Sequence, residues 1–192
     1  MLAAIKTGEA AARRDYRMQL VCERLTNQLQ EDGFVNAAMQ RGVDLEPVAF
    51  AAYEGITGNL VARSGFLAHT EHMAGCSLDG HIGDFDGILE LKCPKSATHY
   101  RYLKDGGMPK EHVAQVLHNL WITSAAWCDF VSFDDRMPAN LQLFRVRVER
   151  DEREIAAYAE KALAFLREVE DECAAVRTMS SIGSVLREAV AV

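Results

Sequence analysis

The stretch Ser77-Leu-Asp-Gly-His-Ile-Gly-Asp-Phe-Asp-Gly-Ile-Leu-Glu-Leu-Lys-Cys-Pro94 decides how this chain is read. It has the form of two short strands joined by a Gly/Asp turn. Opposed residues in a hairpin have a constant index sum, and a turn centred between Asp84 and Phe85 makes that sum 169. Asp79 is then expected across from Glu90, and Ser77 across from Lys92. Strand side chains alternate, so all four share one face. Opposed Cβ atoms lie roughly 5 Å apart, and two like charges in that position destabilise a sheet. A divalent cation between them removes the conflict, because hard cations prefer carboxylate oxygen. Lys92 adds positive charge beside whatever the metal activates. The pattern points to a metal-dependent hydrolytic site of the kind that acts on phosphodiesters. Behind it, Leu78 opposes Leu91 and Ile82 opposes Gly87, next to Ile88, which gives an apolar side toward a core and a charged side toward a cleft.

Around this hairpin, 192 residues are most simply one domain, 1–192, able to bury a substantial core. Hydrophobic residues make up 49% and charged residues 26%, an ordinary globular profile. Cys22, Cys76, Cys93, Cys128 and Cys173 are odd in number and never form a CxxC pair, so a reducing compartment with no disulfide framework is expected. No secretory signal and no membrane-spanning run is read. A net charge of −7 is the wrong sign for a general nucleic-acid coating protein, so any DNA contact needs locally concentrated positive charge.

The expected elements are an amphipathic helix over about 8–30, a break at Gly33 and a helix over about 36–54 that restarts near Asp44 because of Pro47. A strand over about 58–70 precedes the hairpin. Helices over about 97–104 and 110–124, strands over about 127–133 and 141–149, and a charged helix over about 151–176 follow. Fold class is therefore α/β, with a mixed central sheet flanked by helices.

Glu46 shares a helical face with Ala49, Phe50 and Tyr53, and a carboxylate heading an apolar stripe needs a metal or a cation as partner. A partly exposed helix-start glutamate is the plainer alternative. Gln115 lies with His118 and Asn119 opposite the apolar stripe of Val113, Val116, Leu117, Leu120 and Trp121, a polar face able to position a water or a phosphate. His69 and His72 lack further ligands at zinc spacing and are read as surface residues. Turn chemistry accounts for Asp84 and Asp86.

Asp79…Glu90-Leu-Lys92 resembles the PD-(D/E)xK nuclease signature. The strings Gln40-Arg-Gly-Val-Asp-Leu-Glu-Pro47, Ser77-Leu-Asp-Gly80, Leu89-Glu-Leu-Lys-Cys-Pro-Lys-Ser-Ala-Thr-His99 and Trp127-Cys-Asp-Phe-Val-Ser-Phe-Asp134 resemble the YqaJ-type viral recombinases, relatives of phage lambda exonuclease, over about 10–170. The resemblance implies a restriction-endonuclease-like core in a ring-shaped homotrimer that threads duplex DNA. It also implies Mg²⁺-dependent 5′→3′ degradation of one strand, with Mn²⁺ able to substitute, and transfer of the surviving 3′ strand to a single-strand annealing protein. By the match, Asp79, Glu90 and the Leu91 carbonyl hold Mg²⁺, and Glu46 completes or supports a second metal site. Lys92 orients or deprotonates the attacking water, and Gln115 holds that water or the scissile phosphate. Ser77, Lys95 and His99 are the DNA contacts expected within the matching strings. Family members usually carry an upstream Arg-x-Gly…Thr-Ala-Ser segment that helps to bind the 5′-phosphate. The chain is expected to lack it, which leaves Arg13, Arg14 and Arg17 as candidates to take its place. The resemblance also implies a phage or prophage origin and the bacterial cytoplasm. An endonuclease or junction resolvase of the same fold, or a DNA-binding remnant without catalysis, is the alternative.

Overall fold

The computed structural model describes residues 4–5, 8–30 and 37–190. Their elements run β1 (Ala4–Ile5), β2 (Gly8–Glu9), α1 (Ala11–Thr26), α2 (Ala37–Thr57), β3 (Phe66–Ala68), β4 (Gly75–Ser77) and β5 (Gly80–Ile82). After them come β6 (Gly87–Lys92), α3 (Ser96–Asp105), α4 (Lys110–Thr123), β7 (Trp127–Phe133), β8 (Leu143–Glu149) and α5 (Glu152–Val190). The break expected at Gly33 lies outside the described residues. Contacts divide the chain into two units, Phe34–Ala159 and the pair Met1–Gly33 with Glu160–Val192.

The larger unit is built on a mixed sheet of order β5-β6-β7-β8. β6 is antiparallel to β5 and parallel to β7, and β8 is antiparallel to β7. A parallel pair needs a crossover, and α3 and α4 supply it. Such strands are covered on both faces, which is why Gly87-Ile-Leu-Glu-Leu-Lys92 and Trp127-Cys-Asp-Phe-Val-Ser-Phe133 read as near-continuous apolar runs. On one face Leu89, Leu91, Val131 and Phe133 pack against Ala49, Phe50 and Tyr53 of α2. On the other, Ile88 and Cys128 pack against Val116 and Leu120 of α4, with Leu78 and Ile155. Enclosing a side chain such as Ile88 or Leu89 contributes roughly 1.5–3 kcal/mol, so the two layers clamp β6 from both sides.

The hairpin takes the expected register: Gly80, His81 and Ile82 pair with Leu89, Ile88 and Gly87. Its turn needs Gly83, at φ +63°, where a Cβ would sit 2.2 Å from the Asp86 carboxylate. Four expectations change. Ser77 is not opposite Lys92 but pairs with Phe66 in a separate β3–β4 hairpin, because the chain leaves the β5 ladder before Gly80. For the same reason Leu78 joins the Ile88 layer rather than lying behind Leu91, so the charged face of β6 is itself partly roofed. α2 runs unbroken through Pro47 instead of restarting at Asp44. The strand expected over 58–70 shrinks to Phe66–Ala68, with Ala62 making an isolated bridge to His81.

In the smaller unit, Val21 of α1 packs with Phe165, Val169 and Cys173 of α5, and Tyr16 and Leu20 lie at the edge. Arg13 makes a two-pronged bond to Glu168 (2.8 and 2.8 Å), and Arg17 bonds Glu172 at 2.6 Å. No helix among the described residues is long and apolar enough to cross a membrane.

Candidate nuclease site

Asp79, Glu90, Lys92, Glu46 and Gln115 all belong to the larger unit. β6 carries Glu90 into the α4 layer, where it is 1% exposed. Asn119 Nδ2 donates to its Oε2 at 2.9 Å, and the Lys92 ammonium lies against Oε1 as an ion pair without the angles of a directed hydrogen bond. Asp79 precedes β5 and turns its Oδ2 onto the Leu91 N–H at 2.6 Å. That bond ties the Asp79 carboxylate to the strand segment that bears Glu90 and Lys92. Burial raises both carboxyls above their ordinary values. For Asp79 the Leu91 N–H and the Lys92 charge oppose the rise. For Glu90 the Lys92 charge opposes it and the Asp79 charge adds to it. Two acids pushed toward protonation beside one ammonium form a centre short of positive charge.

The donors suit a hard divalent ion. They are carboxylate and carbonyl oxygens, and Glu90 Oε1 is buried with no hydrogen-bond partner among the described residues. No three His, Cys, Asp or Glu side chains converge as a ready-made metal cluster among those residues. Glu46 is half-exposed and donates its charge elsewhere: Arg63 Nη1 bonds its Oε2 at 3.1 Å, although its charge still raises Asp79.

α4 lies along this face. His112 stacks on Phe130, the register partner of Glu90, with ring centres 5.1 Å apart. Burial first, and then the Lys92 charge, hold the His112 imidazole below its ordinary value. Asn119 is on Glu90, and Gln115 stands one turn before it, exposed, on the stripe between His112 and Asn119. His118 faces elsewhere, bonding the Gly75 carbonyl at 2.9 Å and the Tyr158 hydroxyl at 3.0 Å.

The outer candidates separate. His99 is fully enclosed, with Nδ1 on Ser132 Oγ (2.7 Å) and Nε2 on the Leu141 carbonyl (2.8 Å). It holds α3 to the sheet and offers no nitrogen to DNA. Arg13 and Arg17 are committed to Glu168 and Glu172, while Arg14 is exposed beside Asp15. Lys95 and Ser77 are exposed. His72 stacks on Trp121, and His69 lies tilted against both rings. Sequence reasoning missed Asn119 as the Glu90 partner, though an asparagine flanked by core Val116 and Leu120 at one turn from Gln115 was a signal. Nothing in the sequence marked Arg63.

A mixed sheet that carries buried Glu90 and part-buried Lys92 on one strand, with part-buried Asp79 bonded to the same strand, defines the site. The YqaJ-like viral recombinase domain model matches residues 1–126. The chain belongs to that family. Its structure is similar to the alkaline exonuclease LHK-Exo from Laribacter hongkongensis, with 40% identity, 91% of this chain and 88% of that one covered, and a TM-score of 0.82. The same enzyme in complex with dAMP gives 40% identity over 90% and 87%, with a TM-score of 0.83. A phage-related exonuclease from Haemophilus somnus 129PT shares the fold at 14% identity, 92% of each chain and a TM-score of 0.63. No curated protein sequence matches. The chain is thus homologous to alkaline exonucleases, a lineage of metal-dependent phosphodiester-cleaving enzymes with a restriction-endonuclease-like core.

Proposed function

We propose that the chain is a Mg²⁺-dependent DNA exonuclease that degrades linear duplex DNA 5′→3′ and leaves a 3′ single strand for phage-type homologous recombination. One observation carries the reading: Asp79 and Glu90, both raised by burial, are joined through the Leu91 N–H with Lys92 beside them. Asp79, Glu90 and the Leu91 carbonyl would hold the ion, with Glu46 at a second position, and Mn²⁺ would substitute for Mg²⁺. When bound, the ion supplies the charge that activates water and stabilises the leaving oxygen. Asn119 occupies Glu90 Oε2, which leaves Oε1, with the Lys92 ammonium against it, to face the ion. Lys92 orients the attacking water or takes its proton, and Gln115 holds that water or the scissile phosphate. The dAMP complex of LHK-Exo supports a deoxynucleotide product, and the recombinase family supports a single-strand annealing partner. A homotrimeric ring around duplex DNA and action in the bacterial cytoplasm belong to the same proposal, as does a single nuclease domain.

Linear duplex with 5′-phosphate or 5′-hydroxyl ends, and a covalently closed circle, test it with and without Mg²⁺. Mononucleotides released from phosphorylated ends only with Mg²⁺, and an uncut circle, are expected. Cutting of the circle, or metal-independent release, overturns the reading.

A further inference from the structure

Arg63 is exposed and yet held. The residue before it, Ala62, exchanges two backbone hydrogen bonds of 2.9 Å with His81 of β5. The residue after it, Ser64, bonds His81 Nδ1 through its hydroxyl at 2.6 Å. Two residues upstream, the Val61 N–H donates to Glu54 Oε1 at 2.8 Å. The side chain is fixed as well: its guanidinium lies 3.9 Å over the Phe50 ring and bonds Glu46 at 3.1 Å. An arginine carries about 2 kcal/mol of rotamer entropy, which a free surface position would retain. Here strand, ring and carboxylate all restrict it, although 54% of the side chain faces solvent.

The Glu46 bond uses one of five guanidinium N–H donors. Among the described residues Arg63 makes no other hydrogen bond. Through its bond to Glu46 it stands at the edge of the proposed metal centre. Lys92, the other cation of the centre, is already matched by Glu90. A chain of net charge −7 that must receive a polyanion beside buried acids needs a second, pre-oriented cation there. A planar fork with spare donors fits phosphate oxygens two at a time.

We propose that Arg63 is a substrate-binding residue, which grips the non-bridging oxygens of a DNA phosphate next to the scissile one while Glu46 and Phe50 hold its plane. This rests on the nuclease reading of the Asp79/Glu90 centre. Binding of a 5′-phosphorylated duplex in Ca²⁺ is measured by anisotropy from 50 to 200 mM KCl for wild type, Arg63→Ala, Arg63→Gln and Arg63→Lys. Each variant is also assayed for Mg²⁺-dependent cleavage. Loss of one phosphate contact weakens binding about tenfold and makes the salt slope shallower by about one in Arg63→Ala and Arg63→Gln. Arg63→Lys keeps the slope and loses part of the affinity. An unchanged slope in either neutral variant that unfolds at the wild-type temperature overturns the proposal, whatever happens to cleavage. If Arg63→Ala does not fold, Arg63→Gln decides by the same criterion. A wild-type protein that binds duplex without cutting it sinks the nuclease reading and leaves the slope test standing.

Discussion

Asn119→Ala removes the one neutral side-chain donor on the buried Glu90 carboxylate among the described residues. The bond is 2.9 Å long, and both residues are at most 2% exposed. A hydrogen bond to a buried charge contributes about 1.5–3 kcal/mol, so a loss near 2 kcal/mol is expected. For a chain of this size that lowers Tm by roughly 4–8 °C. The effect depends on pH with a definite sign. Burial holds Glu90 above its unfolded value, so its ionised form opposes folding, and stability is gained as pH falls from the folded value toward the unfolded one. Asn119 eases that opposition by stabilising the ionised form. Its removal raises Glu90 further, hurts most near neutrality, and hurts less once Glu90 carries a proton. Urea unfolding at pH 8 and pH 5, with the rate–pH profile of cleavage, measures both effects. The acid limb of the profile moves to higher pH. Equal destabilisation at the two pH values, or less than about 0.5 kcal/mol at pH 8, would refute the assigned role.

Lys92→Ala abolishes cleavage and leaves duplex binding largely intact, whereas parallel loss of both in one titration counts against its chemical role. Mg²⁺ raises Tm at pH 8 and raises it progressively less as pH falls, because the raised Asp79 and Glu90 carboxyls take up protons that compete with the ion; calorimetry with Mg²⁺ and with EDTA over a pH series reads the difference. Tyr53→Phe removes a 2.7 Å bond to buried Asp129 and lowers stability by about 1.5–3 kcal/mol, seen as a reduced urea midpoint at unchanged m. Asp129 and Asp134 are held below the ordinary carboxyl value, burial being outweighed by hydrogen bonds from Arg147 and Arg136 respectively. Their stabilisation is full above the unfolded value near 4 and is lost as pH falls through the folded values, so circular dichroism should show unfolding only well below pH 4.

Part of the candidate site's geometry was legible in the sequence. A period-two pattern around Gly83-Asp-Phe-Asp-Gly87 sets the register of Gly80–Ile82 on Gly87–Leu89 and puts Glu90 and Lys92 on one face, whereas Asp79 lies beyond the ladder and reaches β6 by accepting from the Leu91 N–H. Glu46 heading Ala49, Phe50 and Tyr53 was legible too, because helical spacing puts those three on the stripe that meets the sheet and Glu46 at its half-exposed end, on Arg63. His99 was misjudged: a histidine inside a matching string looks like a DNA contact until Ser132 and Leu141, more than thirty residues away, close on its two nitrogens. The Ser77 error was local. Nothing between Cys76 and Gly80 announces where one hairpin ends and the next begins.

The sequence by itself determined which groups can meet along short ladders and single helices, because backbone geometry alone dictates those neighbours. Tertiary structure alone decided the charge state and partners of the groups so gathered. Glu90 becomes a raised, half-satisfied acid only when α4 roofs β6 and brings Asn119 from 29 positions away. Arg63 becomes a fixed cation only when α2 supplies Phe50 and Glu46. Desolvation and long-range pairing act through space, and residue order along the chain does not record them.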